Sequence, residues 1–146
     1  MEKRDSTANP RDRKTLYSLP SLAALVTAVG VTACGSSSIT NPAFQPEIAN
    51  TTDSFQLQAT GVSNVTQTLT YSWQNTGTLA NVDQSGAISS GTAKLTILDA
   101  QGKQVYSGEL ASTGSYTSGP GQAGAWTIEI ALSGVSGTLN FRVQKG

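Results

Sequence analysis

Hydrophobic and polar residues alternate one by one over most of the chain beyond residue 53. The clearest segment covers residues 65–74, where Val65, Leu69, Tyr71 and Trp73 fall on one side and Thr, Ser and Gln residues fill most of the other. Alternation with a period of two, in sequence rich in Thr and aromatic residues, predicts a β-strand with one buried face. The same pattern recurs at residues 55–59, 93–97, 126–132 and 139–143, and more weakly at 79–82 and 104–110.

Short breaks rich in Gly, Asn and Asp separate these segments, and no segment after residue 34 has the apolar stripe of a helix. Short strands with frequent turn signals predict an all-β fold, an antiparallel β-sandwich or jelly roll of about seven to eight strands. We expect the SGVSG sequence at 133–137 to join the last two strands as a hairpin. Residues 112–124, STGSYTSGPGQAG, are expected to form the longest flexible connection.

The N-terminal part of the chain has a different pattern. Its first twenty residues hold five basic and three acidic residues, a net charge of +2, and residues 19–33 form an uncharged apolar run that ends in small residues. A basic start, an apolar centre and a small-residue exit are the parts of a secretory signal. The run of about fifteen residues is shorter than the roughly 20 that a membrane-spanning helix needs. We therefore predict that residues 1–33 are a signal peptide.

The sequence Val31-Thr32-Ala33-Cys34 at the end of this run resembles the lipobox of bacterial lipoproteins. The resemblance implies that a signal peptidase cuts before Cys34, and that this residue carries the lipid. Each buried acyl CH₂ contributes about 0.8 kcal/mol, and stable anchoring needs more than one chain. The alternative for a lone cysteine, a buried core thiol, is not expected directly after an apolar signal run.

By the same resemblance, the protein is expected in the bacterial cell envelope, attached to a membrane through Cys34. In Gram-negative lipoproteins an Asp after the cysteine usually retains the protein in the inner membrane. The residue here is Gly35, which favours the outer membrane if the cell is Gram-negative.

The mature chain is predicted to have two parts, a lipidated cysteine with a flexible tether at 34–52 and a β-sandwich domain at 53–146. Pro42, Pro46 and many Ser, Thr and Asn residues favour a tether. The alternative is that Ile39, Phe44 and Ile48 dock as a first, irregular edge strand. Four basic residues against six acidic ones after Cys34 cannot neutralise a run of phosphates, so nucleic acid is not an expected partner.

The residues that usually carry catalysis are scarce. The chain has no His and a single Cys, and no Ser lies in a Gly-x-Ser-x-Gly motif. Paired carboxylates alone can hydrolyse glycosides, and the candidates are Asp83, Asp99, Glu109 and Glu129. Asp99 lies in a predicted turn, where an Asp ordinarily caps the local backbone. We therefore predict no enzyme activity, no cofactor and no metal site.

Aromatic residues are the remaining candidates for binding, because their rings stack on sugar faces and present amphipathic surface. Tyr71, Trp73 and Trp126 share their strand faces with Leu and Ile residues and are expected in the core. Tyr116 stands alone in a Gly- and Ser-rich segment, and it is the aromatic residue that we predict as a possible ligand contact.

The C-terminal third has a second resemblance. The segments GAWTIEI at 124–130 and GTLNFRV at 137–143 are similar to the closing strands of jelly-roll accessory modules, such as pre-peptidase C-terminal domains. Those modules accompany other domains and are generally not catalytic.

Three functions remain open at this point. The first is a membrane-anchored lipoprotein whose non-catalytic β-sandwich acts in structural or protein interaction at the cell envelope. The second is a carbohydrate-binding surface module, and the third, ranked last, is a carboxylate-dependent hydrolase. The expected partners are the membrane and an envelope protein or a glycan.

Overall fold

The computed structural model describes residues 44–146, and all regular structure in this range is β-strand. The strands are antiparallel neighbours in one sheet that is not closed into a barrel, so the predicted all-β fold is confirmed. Among the described residues there is no helix with the length and apolarity to cross a membrane. The strands are β1 (Glu47–Thr51), β2 (Ser54–Asn75), β3 (Ala80–Gln84), β4 (Ala87–Leu98), β5 (Gln104–Glu109), β6 (Gly114–Thr117) and β7 (Gly124–Lys145).

Two long strands, β2 and β7, organise the sheet. Each has 22 residues, and they pair antiparallel in two stretches, 54–59 with 139–144 and 67–75 with 124–132. Between these stretches the register shifts three times, which marks β-bulges that bend both strands together. The rings of Phe55 and Tyr71, at opposite ends of β2, have centroids only 5.3 Å apart. The sheet therefore folds over on itself, and each long strand contributes to two facing layers.

The shorter strands extend the two layers. In the first layer the order is β1, the first half of β2, the second half of β7, β3 and β6. In the second layer the order is the second half of β2, the first half of β7, β4 and β5. The apolar positions of both layers form one buried cluster between them, as a β-sandwich requires.

The predicted hairpin at residues 133–137 is wrong, because these residues lie inside the continuous strand β7. Thr60-Gly61 is one of the short glycine-containing breaks that are expected to separate strands, and it likewise lies inside β2. Glycines with positive φ at 61, 134 and 137, and Asn64 with φ 48°, lie where the strands bend. Glycine permits this backbone conformation without steric cost. These glycine-rich segments therefore form the bend of two paired strands, and they do not form turns that reverse the chain.

Two segments expected to be irregular contain strands. Residues 114–117 form β6, which pairs with β3, so the flexible connection expected at 112–124 is wrong for these residues. At the end of the expected tether, Phe44 is buried and residues 47–51 pair with β2, as the edge-strand alternative proposed. Ile48 is 41% exposed at this edge. Ile39, Cys34 and the predicted signal peptide lie outside the described residues.

The core is centred on two tryptophans. Trp73 and Trp126 are fully buried, lie opposite each other in the β2–β7 ladder and meet edge to face with ring centroids 5.8 Å apart. Such pairs contribute about 0.5–1.5 kcal/mol beyond the area that they bury. The predicted core positions of Trp73 and Trp126 are confirmed, whereas Tyr71 is only half-buried and packs against the core beside Phe55.

We expect that no side chain fits at Gly91, where β4 pairs closely with the bend of β7. Gly91 has φ +75°, and a Cβ there would collide with the carbonyl oxygen of Gly134. Gly102 has nearly the same φ, +78°, but open space around it. Gly102→Ala is predicted to cost about 1–2 kcal/mol for the left-handed backbone alone. Gly91→Ala should cost a further ~1–3 kcal/mol for the forced backbone shift.

Urea unfolding of both variants measures this difference, and the matched φ makes Gly102→Ala the control. Equal losses in the two variants would show that β4 does not approach the β7 bend as closely as described.

Candidate functional site

Three depressions lie together on the outer, solvent-facing side of the first layer. The largest, about 280 Å³, is lined by β1 and β2, and a second, about 200 Å³, by β2, β3 and β7. A smaller one of about 60 Å³ adjoins the largest near the start of β1. We call this surface the amide face, because Gln56, Gln58 and Asn140 lie at its centre. Its other lining residues are Gln45, Glu47, Ile48, Ala49, Thr60, Asp83, Ser85 and Arg142.

The strand periodicity places these side chains outside. Phe55, Leu57 and Ala59 are buried, so Gln56 and Gln58 between them point outward. The pairing register then sets their neighbours: Gln58 lies between Glu47 and Asn140. The next row runs from Ala49 through Gln56, Arg142 and Asp83 to Ser115. The amide face is thus assembled from β1 and β2, which are adjacent in sequence, and from β3 and β7 further along the chain.

Several of its side chains are held in place by one another. The Arg142 guanidinium lies 3.1 Å from the Asp83 carboxylate, and Asn140 Nδ2 donates to Ser85 Oγ at 3.0 Å. The hydrogen bond from Ser115, followed by that from Arg142, lowers the pKa of Asp83. Both charged side chains are more than a third exposed, so the pair contributes at most about 1 kcal/mol to stability. Its effect is to fix the orientation of Arg142.

The central glutamines are differently placed. Among residues 44–146, no hydrogen-bond partner holds the side-chain amide of Gln56 or Gln58, although both residues are half-buried. Each amide can donate two hydrogen bonds and accept two. The surface thus offers donors and acceptors side by side, and this arrangement suits a ligand that carries both on neighbouring atoms.

Tyr116 does not belong to this surface. It pairs with the buried Val82, and therefore faces the inner side of the first layer, where its ring lies 6.1 Å from that of Tyr106 on β5. It is 37% exposed at the open edge between the layers and folds over Gly114. Its predicted role as a ligand contact remains a prediction, and the structure does not bring it together with the amide face.

Tyr106 extends this edge cluster into the interior. With the side-chain amide of the buried Gln84 assigned the orientation that gives its oxygen and nitrogen partners, the Tyr106 hydroxyl donates to it at 3.0 Å, and the amide donates to the carbonyl oxygens of Ser112 and Glu109. Burial, followed by the neighbouring Tyr116, raises the pKa of Tyr106. The two tyrosine rings therefore pack together between β5 and β6 and cover the edge between the two layers.

The four candidate carboxylates lie apart. Asp83 is on the amide face, and Asp99 is in the turn between β4 and β5. Glu109 and Glu129 are on β5 and β7 in the second layer, with β4 between those strands. Among the described residues, no group of three His, Cys, Asp or Glu could hold a metal ion.

Asp99 has the capping role that its turn position predicts. It is only 3% exposed, and its carboxylate accepts backbone N–H bonds from Gln101, Lys103 and Gln122, each 2.9 Å long. Burial raises its pKa, but the three N–H donors outweigh this effect, so the pKa lies below the usual value. Gln122 also accepts a 2.6 Å bond from Trp126 Nε1. Through these hydrogen bonds Asp99 connects its own turn to the segment around Gln122, which in turn binds Trp126 of the core.

Asp53 is the centre of a second hydrogen-bonded cluster, and no pattern in the sequence points to it. Its carboxylate accepts from the backbone N–H and hydroxyl of Thr76 and from Lys145 Nζ, at 2.7–3.0 Å. The hydrogen bond from the Thr76 backbone N–H is the main cause that lowers the pKa of Asp53, and the hydrogen bond from the Lys145 ammonium lowers it further. Asp53 has φ 65°, a left-handed conformation that Asp tolerates better than most residues. The partners are 23 and 92 residues away, so no local signal reveals this cluster.

The molecule is a two-layer antiparallel β-sandwich, and the amide face lies on the outer side of its first layer. No protein-family model matches the chain, and no curated protein is significantly similar to it.

We predict that Asp99→Ala lowers the free energy of unfolding more than Asp83→Ala does. The first change leaves three inward-facing N–H groups without their acceptor, whereas the second removes an exposed pair. Asp99→Asn should fall between them, because its amide keeps one oxygen acceptor but presents an NH₂ group to the N–H donors. Urea unfolding at pH 7 ranks the three variants.

We also predict that the difference in unfolding free energy between wild type and Asp99→Asn depends on pH. Because the folded-state pKa of Asp99 is lowered, its stabilisation is complete above the unfolded pKa of about 4 and is lost as the pH falls through the folded value. The difference in unfolding free energy between wild type and Asp99→Asn should therefore narrow on acidification below pH ~4. A difference that stays constant down to pH ~2 would contradict this assignment.

Proposed function

We propose that this protein is a membrane-anchored lipoprotein of the bacterial cell envelope, with a non-catalytic β-sandwich that acts in structural or protein interaction. The observation that carries the proposal is the apolar run ending in Val31-Thr32-Ala33-Cys34. It supplies a route of export and a lipid attachment site at Cys34. In a Gram-negative cell the outer membrane is the proposed location.

The distance between anchor and domain supports a role at the membrane surface. Phe44, the first described residue, is buried in the sandwich and follows Cys34 by only ten positions. Ten residues span at most about 36 Å when fully extended. A lipid on Cys34 would therefore keep the sandwich, and any partner that it holds, within a few tens of ångströms of the membrane.

The edge of the first layer supports the protein-interaction part of the proposal. β1 pairs with β2 on one side, and all five of its residues are exposed. An exposed edge strand offers unpaired backbone groups to a second chain, and natural proteins usually protect such edges. Here Ile48, 41% exposed, adds apolar surface to that edge.

The anchoring part is tested by Cys34→Ser, with palmitate labelling and membrane fractionation as the readouts. Without the thiol no lipid can be attached, so the variant should incorporate no palmitate, remain unprocessed and be lost from or misplaced in the membrane fraction. Ser37→Ala, three residues further along, is the matched control and should be labelled normally. Labelling of the Cys34→Ser protein would refute the anchor.

The outer-membrane location is tested separately by Gly35→Asp in a Gram-negative host. By resemblance to the lipoprotein family, this change should move the labelled protein from the outer to the inner membrane without reducing palmitate incorporation. Separation of the two membranes on a density gradient measures the shift. Gly35→Ser is the control and should leave the distribution unchanged. An unchanged distribution of Gly35→Asp as well would show that this position does not sort the protein.

A further inference from the structure

We propose that the amide face binds an uncharged polysaccharide, through hydrogen bonds from Gln56, Gln58, Asn140 and Arg142. The inference rests on the proposed function only for where in the cell the protein meets this ligand. The binding chemistry itself is argued from the geometry of this surface.

The shape of the surface suits an extended ligand. The two larger depressions share Gln56, and the largest shares Glu47 and Gln58 with the smallest. They therefore adjoin one another, and we call the three together the groove, which extends over the outer side of the four strands β1, β2, β7 and β3. Neighbouring strands are spaced about 4.8 Å apart, so the groove crosses roughly 14 Å of sheet. A linear chain of sugars can lie across the strands over this length.

The hydrogen-bonding chemistry of the groove matches sugar hydroxyls. A hydroxyl donates one bond and accepts two, and neighbouring hydroxyls on a sugar ring need donors and acceptors close together. Gln56, Gln58 and Asn140 supply both kinds of group from one side chain. Arg142 adds a fixed planar set of donors, because Asp83 already holds its guanidinium.

The charges of the groove favour an uncharged ligand. Its charged residues are Glu47, Asp83 and Arg142, and the last two neutralise each other across 3.1 Å. A polyanion would meet Glu47 without a compensating cation in the groove. A cationic ligand would find one uncompensated carboxylate, Glu47, in a lining that otherwise consists of amides, hydroxyls, two apolar side chains and the Asp83–Arg142 pair.

The outer face of the second layer provides an internal comparison. There, exposed positions such as Thr68, Thr70 and Lys94 carry short hydroxyls or a charge, and Ala131 lies between Thr68 and Lys94 in the ladder. Thr68→Ala/Thr70→Ala is therefore a matched control for Gln56→Ala/Gln58→Ala. Both double variants remove exposed or half-buried polar side chains from β2, on opposite outer faces of the sandwich.

The test is an NMR titration of the ¹⁵N-labelled full chain in detergent micelles. The uncharged probes are dextran, laminarin and galactomannan, and polygalacturonate is the anionic probe. The side-chain NH₂ signals of Gln56, Gln58 and Asn140 report directly on the groove. The readout does not depend on lipidation of Cys34, so failure here and failure of the proposed anchor are distinguishable.

We expect at least one uncharged probe to shift these NH₂ signals, and polygalacturonate to bind more weakly. Loss of two hydrogen-bonding side chains in Gln56→Ala/Gln58→Ala should weaken binding about tenfold. The control double variant and Tyr116→Ala should stay within about twofold of wild type.

Four results would overturn the proposal. They are the absence of shifts with all three uncharged probes, shifts located away from the groove, unchanged binding by Gln56→Ala/Gln58→Ala, and binding abolished by Tyr116→Ala. The last result would instead place the ligand at the tyrosine edge between β5 and β6.

Discussion

The antiparallel pairing of β2 with β7 is the constraint on which the rest of the structure depends. Two strands of 22 residues pair along two stretches and bend together at their bulges, so one ribbon supplies the centre of both layers. The bend brings Phe55 against Tyr71, and the pairing brings Trp73 against Trp126. Every shorter strand then attaches to this ribbon directly or through one neighbour, and the amide face arises where β1 and β3 flank its first half.

Much of the fold follows from the alternation of residues, because burial in a sheet has a period of two. Val65 to Trp73 and Trp126 to Leu132 have their apolar residues in the core as the pattern predicts. Composition alone cannot separate a turn from a bulge, since both favour glycine and small polar residues. The segment around Gly134 and Gly137 was therefore expected to reverse the chain, whereas it bends a strand whose partner bends with it.

The candidate site could be predicted only in part, for a related reason. Periodicity places Gln56 and Gln58 outside, but the register with Asn140 and Arg142 depends on pairing across more than 80 residues. Tyr116 is the single aromatic residue of a Gly- and Ser-rich segment, yet its partners Tyr106 and Val82 come from other strands. Asp99 was placed correctly because its capping contacts begin within its own turn.

Residues 124–145 form one strand that pairs with both halves of β2. Interstrand NOEs in the full chain test this pairing most directly. We predict contacts between Ala59 and Leu139 together with contacts between Leu69 and Ile130, in one molecule. Backbone NOEs between Leu132 and Thr138, which would be paired with each other only in a hairpin closed by residues 133–137, would contradict it.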